Sequence, residues 1–139
     1  MEVTLADVQR ILTTSKTLAI VGLSNKPHRD SHEIAAYLQQ QGYRIIPVNP
    51  RIDQALGEKA YPSLRDIPER VDVVQIFRKS EDVPPIVDDA IAIGAKVIWM
   101  QSGIVNEEAA ARAETAGLTV VMDACMRSAH RALRATGRT

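Results

Sequence analysis

Five short apolar runs, at residues 18–21, 44–48, 72–77, 96–100 and 118–122, are set apart by stretches long enough to hold a helix. Each run is apolar on both faces with little alternation, which is the pattern of a strand covered by helices on either side. Strand and helix alternating this often over short connections predicts right-handed βαβ units and one doubly wound parallel α/β sheet. The expected strand order is 3-2-1-4-5, with helices on both faces.

The intervening segments carry helix signals. Ser31 is placed to cap a helix with Ile34, Ala35 and Leu38 on one face, ending at Gly42. Asp82 precedes Val83-Pro84-Pro85, where prolines fit a first turn, and that helix closes near Gly94. Asn106 opens a third, with Glu107 and Glu108 in its first turn and Gly117 at its end. A helix from Thr4, with Leu5, Val8, Ile11 and Leu12 on one stripe, is expected at the start, and another from about Cys125 to Leu133 at the end. Residues 57–68 read as irregular, with a short helical turn in place of a full crossover helix.

With 139 residues, 45% of them hydrophobic, the chain suits a single domain over 1–139. Lys plus Arg and Asp plus Glu both number 17, so no global field draws nucleic acid or an anionic membrane, and any anion site must be local. One cysteine, Cys125, excludes an internal disulfide, and neither a signal peptide nor a membrane span is visible, so a soluble cytoplasmic protein is expected.

In a doubly wound sheet a ligand lies beyond the carboxyl ends of the strands, where the strand order reverses; the expected order puts that point beside strands one and four. Three of the five loops at that edge carry cations: Lys26 and Arg29 after the first strand, Arg51 after the second, Arg78 and Lys79 after the third. Together they favour a ligand with several phosphates, helped by a helix N-terminus. A dinucleotide site would bring Gly-x-Gly-x-x-Gly and an acidic residue after the second strand. Here position 24 is Ser, position 27 is Pro, and the second strand runs into Asn49-Pro50-Arg51. An arginine there suits a 2′- or 3′-phosphorylated adenosine, which leaves NADP or coenzyme A.

Taken together, Val21-Gly22-Leu23-Ser24 with Pro27 and Arg29, Pro47-Val48-Asn49-Pro50, Tyr61-Pro62-Ser63-Leu64, Phe77-Arg78, the run Gly94 to Gln101 and Asn106-Glu107-Glu108-Ala109 resemble the small stand-alone CoA-binding proteins. That family shares the domain at the N-terminus of the succinyl-CoA synthetase α-subunit. The resemblance implies a Rossmann-like domain binding coenzyme A across the carboxyl edge. By position, Gly22, Leu23 and Ser24 would pack against the nucleotide, Lys26, Pro27 and Arg29 would shape and charge the loop, and Asn49, Pro50 and Arg51 would border the 3′-phosphorylated adenosine. Phe77 and Arg78 would flank the adenine or pyrophosphate, and Met100, Gln101 and Ser102 would lie along the pantetheine. Relatives often read Met-Asp-Arg-Cys-Met-Lys followed by Glu-His; here Ala124 and Ala129 stand where an arginine and a glutamate are usual.

No catalytic set is expected. Cys125 reads as a small buried hydrophobe, since His130 is five residues on and the two point apart on a helix. His28 and His32 lack a third metal ligand and are placed beside the phosphates. The synthetase uses a phosphorylated histidine from a separate domain, for which this chain has no room. The expectation is a non-enzymatic CoA or acyl-CoA carrier or sensor, as a homodimer or with an enzyme partner. An NADP-dependent oxidoreductase or redox sensor is the alternative, and a mixed disulfide between Cys125 and CoA a third reading.

Overall fold

The computed structural model describes residues 3–137; positions 1, 2, 138 and 139 of the expected domain lie outside the described residues. Helix α1 (Leu5–Thr14) opens on a capping box: the Thr4 hydroxyl accepts from the Asp7 N–H while the Asp7 carboxylate accepts from Thr4. Ile11 and Leu12 bury its inner face, whereas Leu5, expected on the same stripe, is 73% exposed. Strand β1 (Thr17–Val21), helix α2 (Asp30–Gln40) and strand β2 (Arg44–Val48) follow. A small hairpin, β3 (Gln54–Ala55) with β4 (Glu58–Lys59), and a 3-10 turn at Leu64–Asp66 then lead to β5 (Val73–Ile76). The rest alternates as α3 (Val83–Ala92), β6 (Val97–Met100), α4 (Glu107–Thr115), β7 (Thr119–Val121) and α5 (Met126–Ala135).

The five main strands form one parallel sheet in the order β2-β1-β5-β6-β7. The architecture is the expected Rossmann-like one, but the order corrects 3-2-1-4-5: the third main strand lies between the first and the fourth, not outside the second. Pro47 is the physical reason. Gly22 donates to the Val48 carbonyl and Arg44 to that of Lys16, so alternate β2 residues face β1 and Pro47 faces outward. With no N–H to give there, Pro47 marks β2 as an edge strand. That edge takes a single bridge, Val48 to Tyr61, before the chain crosses to the far side of β1.

The sheet separates two apolar layers. Ile11, Leu12, Ile34, Leu38, Met126 and Leu133 from α1, α2 and α5 cover one face. Val83, Val87 and Ala90 of α3, Ala109 and Ala113 of α4 and Leu64 of the 3-10 turn cover the other. Small alanines on α4 let it lie close to the sheet. The Asn106 carbonyl side chain caps it by accepting from the Ala109 N–H at 2.9 Å.

Two buried polar groups anchor the carboxyl edge. Trp99, fully buried, donates from Nε1 to the Ala124 carbonyl at 2.8 Å and so fixes the turn into α5. Gln101 Oε1 accepts from Gln75 Nε2 at 2.9 Å and from the Met126 N–H at 3.1 Å, joining β5, β6 and α5.

Candidate functional site

With the observed order, the reversal lies between β1 and β5, so the crevice opens between the loops at Gly22 and Phe77. These loops approach closely. Gly22 has φ +89°, and a Cβ there would stand 2.5 Å from the Phe77 carbonyl oxygen, so glycine serves the contact between neighbouring strand ends.

The loop after Gly22 is held by its own side chains. Ser24 donates its N–H to the Ser31 hydroxyl at 3.0 Å, and the Ser24 hydroxyl accepts from the Lys26 N–H at 3.1 Å. Asn49 donates to the Leu23 carbonyl and accepts from the Arg51 N–H, locking the second loop to the first. Ser31 is therefore a loop tie rather than the expected cap: Arg29 occupies the N-cap, and no side chain caps the first turn of α2. The physical reason is that the helix starts at Asp30, one residue before Ser31, so the Ser31 hydroxyl lies inside the first turn and is free to accept from the Ser24 N–H.

These ties leave a cleft of about 710 Å³ whose wall carries Lys26, His28, Arg29 and Arg51 beside Asn49 and Phe77. Lys26, Arg29 and Arg51 are exposed, and none has an ion-pair partner among the described residues. A second cleft, of about 590 Å³, shares Asp30 and Phe77 with the first and is lined also by Ile34, Asp82, Gln101, Ser102, Ile104, Cys125 and Arg127. Both volumes are of the size that small-molecule sites use. The loop bordering the second cleft is braced by Asp123, itself at φ +54°, whose carboxylate accepts from the Gly103 N–H at 2.6 Å.

Cys125 stands at the N-cap of α5. Burial works to raise its thiol pKa, but hydrogen bonds from the Ser128 N–H and hydroxyl, from Gln101 and from the Arg127 N–H outweigh that and hold it below its ordinary value. Half-buried, it packs against the apolar cluster beneath α2 and α5, as a small hydrophobe would, and also lines the wall of the second cleft.

The sequence pattern of the CoA binding domain matches residues 16–131. The chain belongs to the CoA-binding domain family. It is 46% identical over 125 residues to the uncharacterized protein YneT of Bacillus subtilis, covering 90% of this chain and 93% of that one. A solved structure of a hypothetical protein from Pyrococcus horikoshii OT3 superposes with a TM-score of 0.92 at 42% identity, covering 95% of this chain and 93% of that one. The ADP-forming acetate–CoA ligase II of Archaeoglobus fulgidus is 34% identical over 107 residues, which are 76% of this chain but 16% of the ligase.

In this CoA-binding domain the residues singled out from sequence divide by access. Gly22, Ser24, Lys26, Arg29, Asn49, Arg51 and Phe77 line the larger cleft, and Phe77, Arg78, Gln101 and Ser102 the second. Pro50 lines a third cleft, which shares Arg78 and Asp82 with the second, and Pro27 is exposed outside all three. Leu23 and Met100 are fully buried, so only their backbone could meet a ligand. Sequence reasoning missed Ile104 and Arg127, although Arg127 lies in the first turn of a helix that follows a strand end. Among the described residues, no group of three or more His, Cys, Asp and Glu could hold a metal, and no helix is long and apolar enough to cross a membrane.

Proposed function

We propose that residues 1–139 form one domain that binds coenzyme A, or an acyl-CoA, without turning it over, and acts as a carrier or sensor in the cytoplasm. The observation that carries this reading is the set of unpaired cations, Lys26, Arg29 and Arg51, on one wall of the larger cleft. Three cations from two loops suit the pyrophosphate and 3′-phosphate of the coenzyme, and charge-assisted hydrogen bonds to them are the strong kind. Asn49 is spent on bracing the loops, so the ribose is left to Arg51 and its phosphate. Phe77, at the junction, offers an aromatic face to the adenine. The pantetheine then follows the second cleft past Gln101 and Ser102, where Ile34 and Ile104 supply apolar wall.

Gln101 makes structural hydrogen bonds to Gln75 and Met126, so its part is to hold the channel open rather than to react. Calorimetric titration with CoA, NADP and NAD tests the reading. Saturable binding of CoA in preference to both dinucleotides is expected. A preference for NADP would replace it with a redox role, and the absence of any binding would remove the placement altogether.

A further inference from the structure

The turn after β6 is held from both sides. In residues 101–104 the Ile104 N–H donates to the Gln101 carbonyl at 2.9 Å, and Gly103, the third residue, has φ +83°, a positive value that β-turns take from glycine at that position. The N–H of a third turn residue has no partner within the turn. Asp123 supplies one from the loop after β7: its carboxylate accepts from the Gly103 N–H at 2.6 Å, and its own N–H donates to the Ile104 carbonyl at 3.2 Å. From the loop after β5, the Ser80 hydroxyl accepts from the Val105 N–H at 3.1 Å and the Ser80 carbonyl from Asn106 Nδ2 at 2.9 Å.

Asp123 makes its bridge in the left-handed region, at φ +54°. Aspartate enters that region more readily than most residues, but at a cost that persists only where the surroundings fix it. Leu56, the other non-glycine residue with positive φ among the described residues, turns the tight β3–β4 hairpin, which accounts for it. No hairpin demands the same of Asp123, which joins β7 to α5 and lines neither of the two larger clefts. What its conformation secures is the 101–104 turn. With the Gly103 and Ile104 N–H groups engaged inside the protein, Ser102 is the turn residue whose N–H and hydroxyl have no partner among the described residues, and it lines the second cleft.

We propose that Asp123 is a positioning residue for the pantetheine arm of the coenzyme: by fixing the 101–104 turn it holds Ser102 ready to donate to an amide carbonyl of that arm. This inference rests on the coenzyme reading above and adds to it a residue that touches no ligand itself. The pantetheine arm carries two amide carbonyls and no charge, so it is recognised by neutral donors rather than by cations. A turn fixed before the ligand arrives spares binding the ordering cost of a loose one.

The test titrates CoA and adenosine 3′,5′-bisphosphate, which keeps the phosphorylated nucleoside but lacks pantetheine, into the full chain by calorimetry. Asp123→Gly keeps the left-handed backbone without strain and removes the carboxylate. It is expected to weaken CoA about five- to tenfold and to leave the bisphosphate within about twofold. Asp123→Asn keeps an acceptor oxygen and tolerates the same backbone, so its CoA affinity should stay within about threefold of the parent chain. A merely structural role would lower the urea midpoint of Asp123→Gly and weaken both ligands in the same ratio, and that result overturns the inference. So does unchanged CoA affinity in Asp123→Gly, or a parent chain that binds CoA no more tightly than the bisphosphate. Failure of the parent chain to bind either ligand overturns the coenzyme reading and this inference with it.

Discussion

The two ends of the same sheet treat charge in opposite ways. At the amino end, the Asp72 carboxylate accepts from the Lys16 and Thr17 N–H groups at 2.9 and 3.0 Å. Nearby, Arg44 pairs with both Glu58 and Glu69, and the buried Tyr43 hydroxyl donates to the Leu12 carbonyl at 2.6 Å. The space left there is about 200 Å³. At the carboxyl end, Lys26, Arg29, Arg51, Lys79 and Arg127 stand on the walls of clefts of about 710 and 590 Å³ without an ion-pair partner among the described residues, although Asp30 lines both clefts and Asp82, paired with Arg78, lines the second. A chain with 17 acids and 17 bases has no excess charge to spend, so the contrast is one of sorting. One end is closed by internal pairing and the other is kept open for anions from outside.

The largest effect expected is from breaking the close approach at the open end. Gly22→Ala places a methyl against the Phe77 carbonyl and forces a side chain into the left-handed region, at a cost of about 3 kcal/mol. Urea denaturation should register that loss together with weakened CoA binding, since the same loops form the cleft. An unchanged urea midpoint would mean that the β1 and β5 loops part easily and that the crevice is less built than it looks.

Arg29→Ala and Arg51→Ala separate binding from stability. Each should weaken CoA by about 1.5 to 3 kcal/mol per lost charged hydrogen bond while leaving the urea midpoint in place. Asp72→Ala is the mirror experiment: the Lys16 and Thr17 N–H groups lose their shared acceptor, and stability should fall by about 1 to 2 kcal/mol with CoA affinity unchanged. Were Asp72→Ala to weaken CoA as much as Arg51→Ala does, the division between the two ends would fail.

Much of this division was legible in the sequence, because strand ends can be located from apolar runs and the loops after them then share one edge. That logic found Lys26, Arg29, Arg51 and Arg78 without any coordinates. The strand order was misread although its signal was present: Pro47 sits in the second run, and a proline whose missing N–H faces outward bars a further strand from pairing there. Other features depend on contacts between distant residues and leave no local pattern. Ser31 carries the signature of a cap, yet its hydroxyl goes to Ser24 because the loop folds back on it. The bond from Gln75 to Gln101 spans two strands, and nothing in either local sequence announces it.

The smallest effect concerns acid, and it sets a group on the helical face against one at the closed end. His130 on α5 is buried, with Nδ1 2.9 Å from the Tyr37 hydroxyl of α2 and its ring edge-on to Tyr37 and Tyr43. Burial first, and the nearby Arg134 charge second, hold its pKa below the usual 6.5. A lowered histidine favours folding fully above its unfolded pKa, and that contribution is lost as pH falls from there through the folded value. For Asp72, burial works against the charge, but the N–H groups of Lys16 and Thr17, with Lys96 and Arg70 nearby, outweigh it and hold the pKa below 3.8. Its contribution is full above 3.8 and disappears only as pH falls through its lower folded value. Acid should therefore weaken the α2–α5 contact before it touches the amino end of the sheet. In urea titrations at stepped pH, His130→Gln should remove the first decline, below about 6.5, and leave the second, whereas Asp72→Asn should leave the first and shrink the second, to which the lowered Asp7 and Glu69 also contribute. A first decline that survives in His130→Gln would assign it to another group and leave the α2–α5 contact indifferent to protons.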